Sequence, residues 1–399
     1  MIERYFRLRE NQTTVRSEFL GGVTTFLTMA YIVVVNPQIL GQAGMPVEGV
    51  LFATCAAAAV ATLVMGLYAN YPIALAPGMS LNAYFTYTVC LGMHVPWRTA
   101  LGVIFLSGVV FLILTVSRVR EQIVNGIPGC LKHSTAGGIG MFIAFVGLRN
   151  AKLVVGNPAT FVALGTFSNH EAQLACVGLA IMLVLMTRKI TGAILIGILV
   201  TTGLGIARGM ASLPSAIFSL PHPSLTWLQL DVRGALHLGL FEIVFVFLFV
   251  DLFDNVGTLV GVCEQGGFVV DGKIPRVGRA LLADGVGTIF GALTGTSTVT
   301  SYIESAAGVA AGARTGLSNL MVAGLFVVAM FFSPVAAAIP AFVTLIATPL
   351  TFSIATGLSL GVISYTIAKL AAGKRREVSV LLWLLTILFI ARYVYLAAD

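Results

Sequence analysis

Asp251 and Asp254 sit three residues apart within an apolar run, Phe241-Glu-Ile-Val-Phe-Val-Phe-Leu-Phe-Val-Asp251-Leu-Phe-Asp254-Asn255-Val-Gly257-Thr258. A third acid, Glu304, closes a small, hydroxyl-rich stretch, Gly295-Thr-Ser-Thr-Val-Thr-Ser301-Tyr-Ile-Glu304. No Lys or Arg lies within either segment to neutralise them. A charge at the centre of a membrane span costs about 2.5–3.5 kcal/mol even on forgiving scales. A chain bears that cost where the charge faces a partner, a cavity or an ion path. Carboxylates so placed accept N–H bonds from a polar solute, and by taking up a proton they shed charge before crossing. That chemistry points to transport.

These acids need elements to hold them. On a helix, Asp251, Asp254 or Asn255, and Thr258 follow one another at i, i+3/i+4 and i+7 and share a face. Two other apolar segments are interrupted. Tyr71-Pro72-Ile-Ala-Leu-Ala-Pro77-Gly78-Met-Ser80-Leu-Asn82 cannot be a continuous helix, because Pro77-Gly78 breaks it at membrane depth. Gly291-Ala-Leu-Thr-Gly295-Thr-Ser-Thr-Val-Thr-Ser301 is β-prone and leads into a helix at about Tyr302. Corresponding breaks in two halves of a chain are the sequence mark of a transporter site built at half-helix starts. Asn82 and Glu304 each fall early in the helix that follows a break.

Composition sets the setting. The 399 residues are 58% hydrophobic and only 10% charged, with a mean hydropathy of +0.97, against about 25% charged in an average soluble domain. This is an all-α, multi-pass membrane protein whose environment is the lipid bilayer. Spans are expected near 18–38, 49–69, 73–92, 98–117, 134–149, 171–187, 191–209, 236–260, 278–293, 296–312, 316–333, 339–354, 356–371 and 379–396, with interfacial pieces at 118–133 and 228–237. The net charge of +7 comes from Lys and Arg flanking spans. It reflects topology rather than nucleic-acid binding, and Arg4, Arg7, Arg9 and Arg16 ahead of the first span place the N-terminus in the cytoplasm. The charged start argues against a cleavable signal peptide. The five cysteines (Cys55, Cys90, Cys130, Cys176, Cys263) lack metal-ligand spacing and read as small core residues. No metal or cofactor is expected.

Four stretches carry a resemblance: Gly21-Gly-Val-Thr-Thr-Phe-Leu-Thr-Met-Ala-Tyr-Ile-Val-Val-Val-Asn36-Pro37, Ala76-Pro-Gly-Met-Ser-Leu-Asn82-Ala-Tyr-Phe85, Phe249-Val-Asp251-Leu-Phe-Asp254-Asn-Val-Gly-Thr258 and Gly295-Thr-Ser-Thr-Val-Thr-Ser-Tyr-Ile-Glu304-Ser-Ala-Ala-Gly308. In this order they closely resemble the AzgA-like purine permeases, a branch of the nucleobase–cation symporter 2 family. The resemblance runs from about residue 1 to the end. It implies two inverted seven-span repeats forming a core and a gate domain, with half-helices and short antiparallel strands in spans three and ten. Spans one to four and eight to eleven would make the core. It also implies proton-coupled import of adenine, hypoxanthine or guanine across the cytoplasmic (inner) membrane, by elevator-like movement of core against gate and with the proton as coupling ion. A homodimer is compatible with it.

The family's substrate-contacting positions map onto Asn82, Asp251 and Glu304, with Asp254 close behind. Glu304 is assigned the paired in-plane N–H bonds of a purine, Asp251 a second carboxylate contact, and Asn82 a donor and an acceptor from its amide. Asp254, Asp251 and Glu304 are the candidates for proton coupling. Phe85, Phe249 and Phe253 are candidates for stacking on the base. The expected organisation is 1–17, a cytoplasmic segment; 18–209, the first repeat; 210–235, an interfacial connection; 236–371, a shortened second repeat; and 372–399, a C-terminal helix. The second repeat is shortened because Ala338-Ile-Pro-Ala-Phe-Val-Thr-Leu-Ile runs straight on where the family pattern has a further gate span. A piece on the order of 30–40 residues, one span with its loop, is therefore missing near 335–342.

Plainer readings stand beside these. The Asp251/Asp254 pair could anchor neighbouring helices, Glu304 could simply cap its half-helix, and Asn82 could be a cap or a strand-bridging amide. An anion transporter of related architecture would want positive potential, and a cation channel would want an open pore. A permease that lost transport with the missing span is a further alternative. A membrane enzyme lacks any nucleophile–base pair or metal cluster to support it.

Overall fold

The computed structural model describes residues 2–117, 145, 147–149, 151–158, 160–188, 190, 193–209, 222–237, 241–270 and 274–331. The expected spans at 339–371, the C-terminal helix 372–399, the interfacial piece 118–133 and the site of the missing span near 335–342 lie outside the described residues. Most of the span expected at 134–149 does too. By contacts the chain falls into two compact units, one of 1–138 and 214–337 and the other of 139–213 and 338–399.

In the first unit, α1 (Ile2–Phe6) precedes α2 (Val15–Met29), whose start is capped by Thr14 accepting from the Ser17 N–H at 3.2 Å. The first span runs on from α2 with one local change: at Ala30–Tyr31, both still in right-handed helical conformation, the hydrogen bonds tighten to i→i+3 (Val33 N–H to Ala30, 3.2 Å; Val34 N–H to Tyr31, 3.1 Å) before α3 (Ile32–Gln42). Two residues before that turn, the Thr28 hydroxyl donates to the carbonyls of Thr24 (3.1 Å) and Thr25 (2.8 Å), a back-bonding pattern common where helices are locally distorted. Next come α4 (Val47–Val64), continued in π-helical form to Ala69, and β1 (Leu75–Pro77). After β1 the chain forms α5 (Met79–Ala83), π-helical from Tyr84 to Gly92, then α6 (Trp97–Val116). The second unit holds a hairpin of β2 (Val154–Asn157) and β3 (Phe161–Leu164), and a packed pair of helices, α7 (His170–Thr187) and α8 (Ala193–Ala207). The hairpin was not anticipated, although β-branched residues flanking Asn157-Pro158 signal it. Returning to the first unit, α9 (Val232–His237) leads to α10 (Phe241–Gly266), α11 (Val277–Thr294), β4 (Val299–Ser301), α12 (Ser305–Ala310) and α13 (Leu317–Ala329).

Five helical stretches among the described residues (15–42, 47–69, 97–116, 170–187 and 241–266) are long and apolar enough to cross a membrane. In the first unit α11 packs on α4 and α6, and α13 on α2 and α4. The two sequence breaks meet in their midst. β1 and β4 pair antiparallel, Leu75 opposite Ser301 and Pro77 opposite Val299. Every residue of both strands is buried, as irregular backbone in a hydrocarbon setting requires.

Each strand is held by a threonine of the helix before it. The Thr62 hydroxyl accepts from the Leu75 N–H (2.9 Å) and donates to the Leu75 carbonyl (3.0 Å). Thr288 does the same for Val299, at 3.1 Å in both directions. Gly295 ends α11 at φ +105, and its N–H returns to the Gly291 carbonyl at 2.9 Å. Only glycine takes that left-handed turn without strain. A Cβ at Gly308 would fall on the Thr25 hydroxyl and the Gly21 carbonyl, so α12 seats directly against α2.

Candidate functional site

The crossing of the two breaks fixes where the acids point. Beyond the strand pairing, Gly78 N–H donates to the Thr298 carbonyl (2.9 Å), Tyr302 N–H to Ala74 (3.0 Å) and the Tyr302 hydroxyl to Pro77 (2.5 Å). The Ser305 hydroxyl accepts from the Ala74 N–H at 3.0 Å. α5 and α12 therefore start from one shared lattice. Glu304 stands at the N-cap position of α12, rather than within a helix begun at Tyr302.

Glu304 is half-buried, and its Oε1 accepts the Tyr31 hydroxyl at 2.6 Å. Asp254, also half-buried, accepts the Ser80 hydroxyl at 3.1 Å on Oδ2. The two carboxylates lie within electrostatic reach of one another, and Tyr31 and Tyr302 feel both. Among the described residues, no Lys or Arg forms an ion pair with either. The cluster thus presents negative charge and acceptor oxygens, with hydroxyls at its edge.

The remaining expected residues are placed differently. Asp251 is 2% exposed, one turn ahead of fully buried Asn255 on the inward face of α10. Neither amide atom of Asn255 has a hydrogen-bond partner among the described residues. Asn82 is fully buried, with its Oδ1 accepting the Ser297 hydroxyl and its Nδ2 facing the Met79 sulfur at 3.8 Å. Its amide oxygen thus joins α5 to the segment just ahead of β4. Phe85 is fully buried in an apolar cluster with Leu81, Val89 and Phe247. Phe249 is 40% exposed, stacks on Phe245 (5.5 Å) and meets Phe253 at a tilt (4.6 Å). Two positions from Asp251, it sits about 200° around the helix. The structure therefore gathers Asp254 and Glu304, and brings neither phenylalanine to them. Tyr31 and Ser80 were missed as neighbours of the acids. A hydroxyl-tipped ring in an apolar span was the available signal for Tyr31.

Known proteins share this arrangement of sequence. Residues 16–392 match the Permease family. A permease-like protein of Methanocaldococcus jannaschii is 50% identical, with 99% of each chain covered. Adenine permease AdeP of Escherichia coli (strain K12) is 39% identical over 100% of this chain and 97% of that protein. Guanine/hypoxanthine permease PbuO of Bacillus subtilis (strain 168) is 42% identical over 96% and 98% respectively. Among solved structures, the transmembrane domain of the cyanobacterial bicarbonate transporter BicA matches with a TM-score of 0.56 at 17% identity, over 93% of this chain and 97% of that one. SLC26A9 matches with a TM-score of 0.59 at 11% identity, over 95% and 62%. Those two likenesses are of fold alone. A match along nearly the whole chain, with relatives at these identities, means that the chain belongs to the Permease family, a membrane transporter rather than an enzyme, beside the adenine and guanine/hypoxanthine permeases.

Proposed function

We propose that this protein imports purine nucleobases across the cytoplasmic membrane by proton symport, with its N-terminus in the cytoplasm. The observation that carries the reading is the pair Glu304 and Asp254, gathered beside the crossing of two broken segments in a chain related to adenine and guanine/hypoxanthine permeases. A purine offers ring N–H donors in its plane, and an ionised carboxylate accepts two of them with charge-assisted strength. Glu304 supplies that contact and Asp251 a second, while Asn82 holds the two breaks together beside them. Asp254, one hydroxyl away from α5, is the acid for the coupling proton.

The two-repeat reading is supported by the matched threonine devices, Thr62 on Leu75 and Thr288 on Val299. The division into core and gate is supported by the unit of 1–138 and 214–337, which spans the segments assigned to the core. The gate would lie in the other unit, and transport would move one against the other.

A neutral base carried with one proton moves one charge. Across about 100 mV that is about 2.3 kcal/mol, or about fiftyfold accumulation. Radiolabelled adenine, hypoxanthine and guanine, given to cells lacking their own purine transporters, should therefore be concentrated, and a protonophore should collapse the gradient. The absence of both uptake and thermal stabilisation of the purified protein by any purine would overturn the proposal.

One observation favours a second reading. The alignment with AdeP runs over 432 positions and uses all 399 residues of this chain, so about 33 positions have no counterpart here. That matches a lost gate span. Stabilisation by a purine without uptake would identify a permease that binds but no longer transports.

Asp254→Asn separates the coupling role. It keeps the bond to Ser80 but cannot carry a proton. Affinity should stay within about threefold, under about 0.7 kcal/mol, while accumulation falls to equilibration. Full proton-driven accumulation in both Asp254→Asn and Asp254→Ala would remove Asp254 from the coupling step.

A further inference from the structure

The tightened turn at Ala30–Tyr31 in the first span has a consequence for the opposite half. It delivers two side chains to one residue of the opposite half. Thr28, in the last turn of α2, points its hydroxyl at the Glu304 carbonyl at 3.3 Å. Tyr31, at the start of α3, donates its hydroxyl to Glu304 Oε1 at 2.6 Å, within the range of a charge-assisted O–H···O bond. The Tyr31 ring is 9% exposed, and its backbone carbonyl accepts the N–H groups of Val34 (3.1 Å) and Val35 (2.9 Å). The donor is thus mounted on a fixed helix start. Below it, α12 is pressed against α2 at Gly308 and Thr25 without room for a methyl group.

The terminal torsion of a glutamate is broad and roughly two-fold. A carboxylate left to itself therefore sweeps a range of planes. Tyr31 removes that freedom by occupying one lone pair of one oxygen, leaving that oxygen's second lone pair and the other oxygen to a ligand. We propose that Tyr31 is a positioning residue for Glu304, setting the plane in which donor groups of a flat heterocycle must lie. The inference rests on Glu304 being the ligand-facing acid. It makes the first span part of the recognition apparatus rather than packing alone.

Tyr31→Phe keeps the ring and its burial and removes only the hydroxyl. In purified, ligand-free protein, the infrared carboxyl band lost in Glu304→Gln identifies Glu304, and Tyr31→Phe should shift and broaden that band. In cells, Tyr31→Phe should raise KM for the transported purine about tenfold, with Vmax within about twofold of wild type, under about 0.4 kcal/mol. Thr28→Val cuts only the backbone tether, so it should leave the band in place and change KM less. A band unmoved by Tyr31→Phe refutes the positioning role, whether or not the variant melts earlier. A moved band with an unchanged KM refutes its bearing on recognition. A moved band in a protein that neither binds nor transports purines upholds the positioning role and refutes the purine reading instead.

Discussion

Glu304→Ala should abolish purine uptake while leaving the protein in the membrane. Each hydrogen bond to a charged group contributes about 1.5–3 kcal/mol, and a purine edge makes two of them to one carboxylate. Losing about 3 kcal/mol corresponds to a fall in affinity of at least a hundredfold. Glu304→Gln should be milder, about tenfold. Its amide keeps one oxygen for the Tyr31 hydroxyl or the base, but presents an N–H where the second acceptor stood. The competing account makes Glu304 only the N-cap of α12. A cap is worth about 1 kcal/mol of stability, and its loss would lower the melting temperature without changing KM. Uptake by Glu304→Ala with a wild-type KM would therefore end the substrate role. A lost KM with an unaltered melt would end the capping account.

Much of this site was legible in the residues, and the part that was not has a common cause. Pro77-Gly78 and the run Thr296–Ser301 announce broken segments, since neither can continue a helix, and the structure crosses them as β1 and β4. Acids without a basic neighbour announce a polar site in an apolar chain. The element bounds also follow hydropathy closely; the span expected at 98–117 is α6, Trp97–Val116. Partners that meet across long separations were not legible. Tyr31 is 273 residues from Glu304 and Ser80 is 174 from Asp254, and no periodicity within a span reports a contact of that kind. The phenylalanines show the converse error. Phe249 lies two residues from Asp251 and Phe85 three from Asn82, yet Phe85 is sunk in the core and Phe249 lies on the far face of α10. Proximity along a helix fixes a residue's face only through its phase, and two positions from Asp251 is the wrong phase. The tightened turn at Ala30–Tyr31 was hidden because it contains no glycine or proline; the back-bonding of Thr28 lies just ahead of it.

The crossing itself depends on a residue that touches neither acid. Asn319, on α13 and 1% exposed, donates its amide to the carbonyls of Thr62 (3.3 Å), Tyr71 (3.0 Å) and Ile73 (2.8 Å). Tyr71 and Ile73 lie just ahead of β1, where the chain has left one helix and not yet joined its strand partner. Their carbonyls have little other means of satisfaction in an apolar interior. Leaving a buried polar group unpaired costs about 1–3 kcal/mol, so Asn319→Leu should lose about 3 kcal/mol. In thermal unfolding of the purified protein that is a drop of at least about 5 °C. Uptake should fall with it, because a loosened β1 no longer holds Ser80 against Asp254. The decisive comparison is Asn319→Asp. It matches the size and polarity of asparagine but only accepts when ionised, and all three partners are acceptors. It should therefore be at least as damaging as Asn319→Leu. An Asn319→Asp protein as stable as wild type would show that donation to the first break is not what Asn319 supplies, and that β1 holds its place through the Thr62 clasp and its pairing with β4.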